Sequence, residues 1–187
     1  MLGGEVFKRS ISAGGAQYFL QRILESRGSN AANNALVAVW KHIAYYESLE
    51  QGHLNKLRAV ANDFIAALPE GISLEVSDAQ FSAAVARSRT DSPEARDKRL
   101  KKANPTPQTQ VVTTRVFKRN ADVVAAVLAR AQGTCERCEK PAPFARSTDG
   151  SPYLEVHHRT QLAHGGQDSV ANAIALCPNC HRQLHHG

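Results

Sequence analysis

The chain has 187 residues, 42% of them apolar, 6% aromatic and 21% charged, with a formal charge of +6 at neutral pH. This length suits one ordinary domain or two small ones, with a core built mainly from Ala, Leu, Val and Ile. No run approaches the roughly 20 apolar residues of a membrane span, so no membrane partner is expected. The positive balance is either a solubility feature or the mark of an acidic partner, most often nucleic acid.

At the N-terminus, Lys8-Arg9 leads into Ile11-Ser-Ala-Gly-Gly-Ala-Gln17, too polar and too broken for the apolar core of a signal peptide. A cytoplasmic, reducing location is therefore expected, with cysteines on metal rather than in disulfides. Residues 1–103 read as mostly helical. Tyr18, Phe19, Ile23 and Leu24 form a short amphipathic set that Gly28, Ser29 and Asn30 end. A longer pattern runs through Leu36, Val39, Trp40, Ile43, Tyr46 and Leu49, then through Leu54, Leu57, Ala61, Phe64 and Leu68. Spacings of three and four place these residues on one stripe. Gly52 marks either the corner of a helical hairpin or an interior position of one long helix. Pro69-Glu70-Gly71 stops the pattern, Ile72 to Val76 alternates like a short strand, and Asp78 reads as the N-cap of a helix over Ala79 to Arg87. Ser92-Pro93-Glu94 starts a short basic helix with proline in its first turn.

Asn104 to Gln110 holds two prolines and no large apolar residue, the composition of a linker. Domains are thus expected at 1–103 and 111–187, joined by 104–110. Basic side chains flank this linker. Arg96, Lys98, Arg99, Lys101, Lys102, Arg115, Lys118 and Arg119 face the single acid Asp97 between Arg96 and Arg119. They read either as contacts to a DNA backbone, which position without specifying sequence, or as a solvated charged face. Val111 to Phe117 reads as extended, and Asn120 caps a helix over Ala121 to Ala131 that Gly133 follows.

The C-terminal third is the most informative part. Cys135-Glu-Arg-Cys138 and Cys177-Pro-Asn-Cys180 are two independent Cys-x-x-Cys pairs, and four thiolates satisfy one tetrahedral zinc ion. A redox or disulfide role would require two such pairs to coincide by chance. Tyr153 to His158 alternates as a strand does, so His157 and His158 point to opposite faces, one of them toward a metal. Cys177-Pro178 starts a helix on which His181 and His185, four apart, share a face as two imidazoles for one ion. His186 lies off that face. Gly165-Gly166 is a turn, and His164 reads as a plain surface residue. Three imidazoles leave room for substrate on a divalent ion.

The run from Tyr153-Leu-Glu-Val-His-His158 through His164-Gly-Gly166 and Asn172-Ala-Ile-Ala-Leu-Cys177 to His181 and His185 resembles the HNH endonucleases, the ββα-metal nuclease fold. From about Arg115 onward the match resembles the nuclease domain of McrA-type restriction proteins. The resemblance implies a small zinc-stapled ββα-metal domain here, so that, with the mostly helical N-terminal region read above, the chain is expected to be α+β. It implies that His158 is the general base for the attacking water and that Asn172 braces the loop that orients it. His157, His181 and His185 are then the ligands of a catalytic Mg²⁺, Mn²⁺ or Ni²⁺. The sequence departs from the family where Arg159-Thr160-Gln161 replaces an apolar-x-Pro run; Arg159 is either a phosphate contact or a solvated strand residue. The implied function is metal-dependent hydrolysis of DNA in restriction or defence against foreign or modified DNA. The implied role of the N-terminal half is either a reader of modified DNA or a dimerisation element giving a homodimer. A non-catalytic, zinc-stabilised nucleic-acid-binding module is the alternative reading.

Overall fold

A computed structural model describes residues 10–49 and 52–186. Lys8 and Arg9 lie outside the described residues. The chain is α+β and divides into two compact units between Arg115 and Val116.

The first unit is helical: α1 (Ala13–Ser48), α2 (Asn55–Ala67), α3 (Leu74–Thr90) and α4 (Pro93–Leu100). Ser12 caps α1 by accepting from the Gly15 amide at 3.0 Å. Gly28, at φ 74° and ψ −178°, breaks α1 into two helical segments, a backbone state that glycine adopts without strain. The core stripe runs through Ala16, Leu20, Ala32, Leu36, Trp40 and Ile43 and packs on Leu57 and Ala61 of α2 and Val76, Ala79 and Ala83 of α3. At its edge sits Glu47, with a fully buried side chain. Its Oε1 accepts from the Leu54 amide at 3.0 Å and from Arg58 Nε at 2.9 Å. Arg58 Nη2 pairs with Glu47 Oε2 and donates to the Ala83 carbonyl at 2.8 Å, while the guanidinium carbon stands 5.6 Å from the Trp40 ring centroid. One arginine therefore ties α1, α2 and α3 together. Burial works against a charged Glu47, but the Arg58 guanidinium and the Leu54 amide outweigh it and hold the carboxyl below its usual range.

Several sequence expectations need correcting in this unit. Tyr18 and Phe19 are exposed, at 61% and 57%; Ala16 and Leu20 carry the buried face instead. Ile72 to Val76 is not a strand. Ser73, rather than Asp78, is the N-cap, accepting from the Val76 amide at 3.3 Å, and the helix it opens puts Val76, Ala79 and Ala83 on one buried face. The local cap and helical burial override a five-residue alternation. Segment 111–115, expected at the start of the second domain, belongs to the first unit: Thr113 donates to the Ile72 carbonyl at 3.0 Å and accepts from the Leu74 amide at 3.1 Å. Those backbone bonds outweigh the composition signal at 104–110. Gly52 lies between α1 and α2, at the hairpin corner.

The second unit is small. Helix α5 (Ala121–Ala131) is capped by Asn120, whose Oδ1 accepts from the Asp122 amide at 2.9 Å, and it buries Val123, Val127 and Ala131. Strands β1 (Glu155–His158) and β2 (Ala173–Leu176) pair antiparallel, and α6 (Pro178–His186) follows β2 at once. The Cys135–Cys138 turn docks on β2 through Glu136. Its amide donates to the Ala175 carbonyl at 2.9 Å, and its carboxylate accepts from the Ala175 amide at 2.7 Å. Arg130 of α5 holds the same carboxylate through Nε at 2.7 Å and Nη2 at 2.8 Å, and donates to the Ala173 carbonyl at 2.9 Å.

All four cysteine sulfurs lie within 4.8 Å of one another, and Cys138 and Cys177 stand 3.9 Å apart. Zinc–sulfur bonds of about 2.3 Å in a tetrahedron set sulfurs about 3.8 Å apart, so the quartet fits that ion. Burial opposes ionisation of Cys135, but the amides of Cys138, Cys177 and Arg137 bring the thiol down to about 6. Cys180 is pushed up to about 12 by burial and by its three sulfur neighbours. Four thiols this close ionise together only around a cation.

Two predictions follow from these supports. Cys135→Ala or a strong chelator is expected to remove zinc and melt the second unit, since structural zinc contributes about 10–16 kcal/mol in small peptides. Metal analysis and thermal unfolding check this, and an unchanged melting profile and zinc content in the variant would refute the zinc assignment. Arg58→Met leaves a buried carboxylate without its partner and is expected to destabilise the first unit by about 3–5 kcal/mol in urea unfolding. The double variant Glu47→Leu/Arg58→Met should recover most of that loss.

Candidate active site

Strand register places His157 opposite Ile174 and His158 opposite Ala173. Adjacent residues of a strand leave it on opposite faces, and both histidines are buried, at 8% and 7% exposure. Helix α6 supplies His181 and His185, one turn apart. Its start is fixed by Pro178 and by the His181 amide, which donates to the Cys177 carbonyl at 3.0 Å. Two of the four clustered cysteines, Cys177 just before α6 and Cys180 within it, are thus continuous with the helix histidines.

His157, His181 and His185 converge. Their nearest ring nitrogens lie within 4.8 Å of one another, and the Nε2 atoms of His181 and His185 are 3.2 Å apart. Ring centroids are separated by 4.8 to 5.1 Å, with rings near perpendicular. That spacing suits imidazole nitrogens around one divalent ion at bond lengths of about 2.0–2.1 Å. Burial lowers the pKa of both His157 and His185, with a further push from neighbouring histidines. Both rings are therefore kept neutral, the state in which imidazole binds metal.

Glu155 stands behind this trio. Its Oε2 lies 2.5 Å from His181 Nδ1, yet neither atom finds an aligned hydrogen bond. The carboxylate stands against Nδ1 and so orients the ring from the side away from its partners. The Tyr153 hydroxyl donates to Glu155 Oε1 at 3.0 Å, and Tyr153 is itself stacked on Phe144 and covered by Arg146, whose guanidinium carbon is 4.5 Å from the ring centroid.

His158 and the trio border one groove of about 230 Å³, together with Phe117 and Arg119. His158 Nε2 is 2.9 Å from Asp168 Oδ1, and the other oxygen of Asp168 accepts from the Asn120 amide at 2.5 Å. Asn172 closes the intervening loop: its Oδ1 accepts from the Thr160 amide at 3.0 Å, and its Nδ2 donates to the carbonyls of Thr160 at 2.9 Å and Gln167 at 2.8 Å. Gly166 makes that closure feasible, because a Cβ there would stand 1.9 Å from the Thr160 carbonyl oxygen.

The sequence reading did not assign Glu155 or Asp168. A carboxylate two residues before the first histidine, and another just past the glycine pair, were the available signals. Arg159 donates its amide to the Asn172 carbonyl at 2.7 Å and leaves its side chain exposed. Arg96, Lys98 and Arg99 lie on α4, with Lys101 and Lys102 just beyond it, and Arg115 ends the first unit. Arg96 donates to the Ser88 carbonyl, Arg99 pairs with Asp91 and Lys101 with Asp97, so these cations already have partners of their own. Lys118 and Arg119 precede α5 and are exposed. A polar groove of about 320 Å³ in the first unit, between Asn30, Asn33, Glu70 and Arg115, holds no cluster of metal-ligating side chains among the described residues.

Residues 135–187 match the HNH endonuclease family. The Type IV methyl-directed restriction enzyme EcoKMcrA of Escherichia coli (strain K12) is 51% identical over 72 residues, which are 38% of this chain and 26% of that enzyme. The chain thus spans about a quarter of the length of the curated relative it matches. The matched stretch holds β1, the loop residue Asn172, β2 and the histidine-bearing helix α6, so residues 135–187 form a domain of the HNH endonuclease kind.

Proposed function

We propose that this protein is a metal-dependent DNA endonuclease acting in restriction or defence against foreign or modified DNA. The observation that carries the reading is the single groove that His158 shares with His157, His181 and His185. The relative's printed description, a methyl-directed restriction enzyme, supports DNA as substrate and modified bases as its context. Four free thiols at one metal-type site suit a reducing, cytoplasmic setting.

In this reading His157, His181 and His185 hold a divalent ion, with Mg²⁺, Mn²⁺ and Ni²⁺ as candidates. Such an ion supplies positive charge to the scissile phosphate and the leaving 3′-oxygen. His158 accepts a proton from water as its oxygen bonds to phosphorus and the P–O3′ bond breaks. Asn172 keeps the 160–167 loop closed beneath the base. Arg119, on the rim of the groove, and Lys118 are placed to contact flanking phosphates. For the helical unit the reading is a reader of modified DNA, with dimerisation as the competing role.

His158→Ala is expected to lower nicking of supercoiled plasmid by about 10²–10⁴-fold while DNA binding persists. Methylated and unmethylated plasmids, each with Mg²⁺, Mn²⁺ or Ni²⁺, make the assay. Wild-type protein that binds both plasmids and cuts neither would favour the non-catalytic binding module. The lowered values of His157 and His185 also set a pH dependence. Mn²⁺ affinity measured by titration should be level at neutral and alkaline pH and fall only below the ordinary imidazole value of about 6.5, as the rings take up protons and release the ion.

A further inference from the structure

Asp168 joins the end of β1 to the start of α5. One carboxylate oxygen meets His158 Nε2 at 2.9 Å and the other meets the Asn120 backbone amide at 2.5 Å. The amide belongs to the N-cap of α5, so the carboxylate is tethered to a capped helix, and His158 is buried on β1. Neither partner is free to turn away.

We propose that Asp168 is a positioning residue that fixes His158 in the Nε2–H tautomer and so leaves Nδ1 as its basic atom. The inference rests on the reading of His158 as the general base. Its logic is one of donors and acceptors. The Asn120 amide can only donate. An ionised carboxylate can only accept, and the Asn120 amide, followed by His158, holds the Asp168 carboxyl below its usual range. Nε2 must therefore carry the hydrogen, which is how one ring nitrogen's partner sets the role of the other.

The same logic predicts an inversion. In Asp168→Asn the amide oxygen is claimed by the Asn120 N–H, which turns the NH₂ group toward His158. Nε2 must then accept, the ring proton moves to Nδ1, and the basic lone pair is lost. In Asp168→Ala the ring is unconstrained and samples both tautomers. The near-isosteric asparagine is thus the more damaging change, the reverse of what a purely structural aspartate would give.

The test uses the full-length, zinc-loaded, ¹⁵N-labelled protein, with long-range ¹H–¹⁵N spectra to read the His158 tautomer, its signals assigned by their loss in His158→Ala. Plasmid nicking with Mg²⁺ is measured in parallel. The expected wild type shows protonated Nε2. Asp168→Asn shows protonated Nδ1, with kcat down by about 10²–10⁴-fold, plasmid KM unchanged and activity below that of Asp168→Ala. Protonated Nδ1 in the wild type overturns the proposal without reference to any variant. So does an unchanged tautomer in Asp168→Asn, or an asparagine variant faster than the alanine one. If His158→Ala nicks as fast as wild type, the base assignment fails, while the tautomer result stands on its own spectrum.

Discussion

The C-terminal unit depends on the meeting of four sulfur atoms. Strands of four residues and a nine-residue helix are too short to hold a fixed geometry alone. Cys177 ends the run out of β2 and Cys180 sits in the first turn of α6, so the helix is oriented by the same atoms that join it to the Cys135–Cys138 turn. His181 follows directly. Precision at the histidine trio is therefore inherited from the thiolate quartet, through one residue of chain.

The site then divides its acids from its bases. Burial keeps two of the converging imidazoles, His157 and His185, neutral, and Glu155 stands behind the third, His181. His158 has its own carboxylate, Asp168, anchored elsewhere. Neighbouring positions on one strand thus face separate electrostatic surroundings. This is what alternation of a strand makes available: one residue can be set up to hold a cation while the next is set up to move a proton.

What the sequence disclosed was mostly what is local. Paired Cys-x-x-Cys turns, a helix histidine pair four apart, and Asn120 before an apolar helix are readable because their spacing is their geometry. Ser73 shows the limit. A weak alternation at Ile72 to Val76 looked like a strand, and the true start lay in a hydroxyl one residue before the helix. Tyr18 and Phe19 were the largest residues of their turn and still faced solvent, because Ala16 and Leu20 fit the close approach to the core better. Asp168 escaped assignment because its two partners, Asn120 and His158, are 48 and 10 residues away. The strap at Thr113 escaped for the same reason, its partner lying at Ile72.

The two cores rest on unlike foundations. One is an apolar helical stack with a buried Glu47–Arg58 pair, and the other is a small ββα unit gathered on thiolates. Acid attacks the first by protonating Glu47, whose depressed carboxyl contributes stability above its unfolded value and loses it as pH falls through the folded one. Chelation is expected to act on the second, through its cysteine quartet. Two units held in such different ways are expected to share no single melting temperature. Thermal stability is then a pair of quantities, one answering to protons and the other to metal.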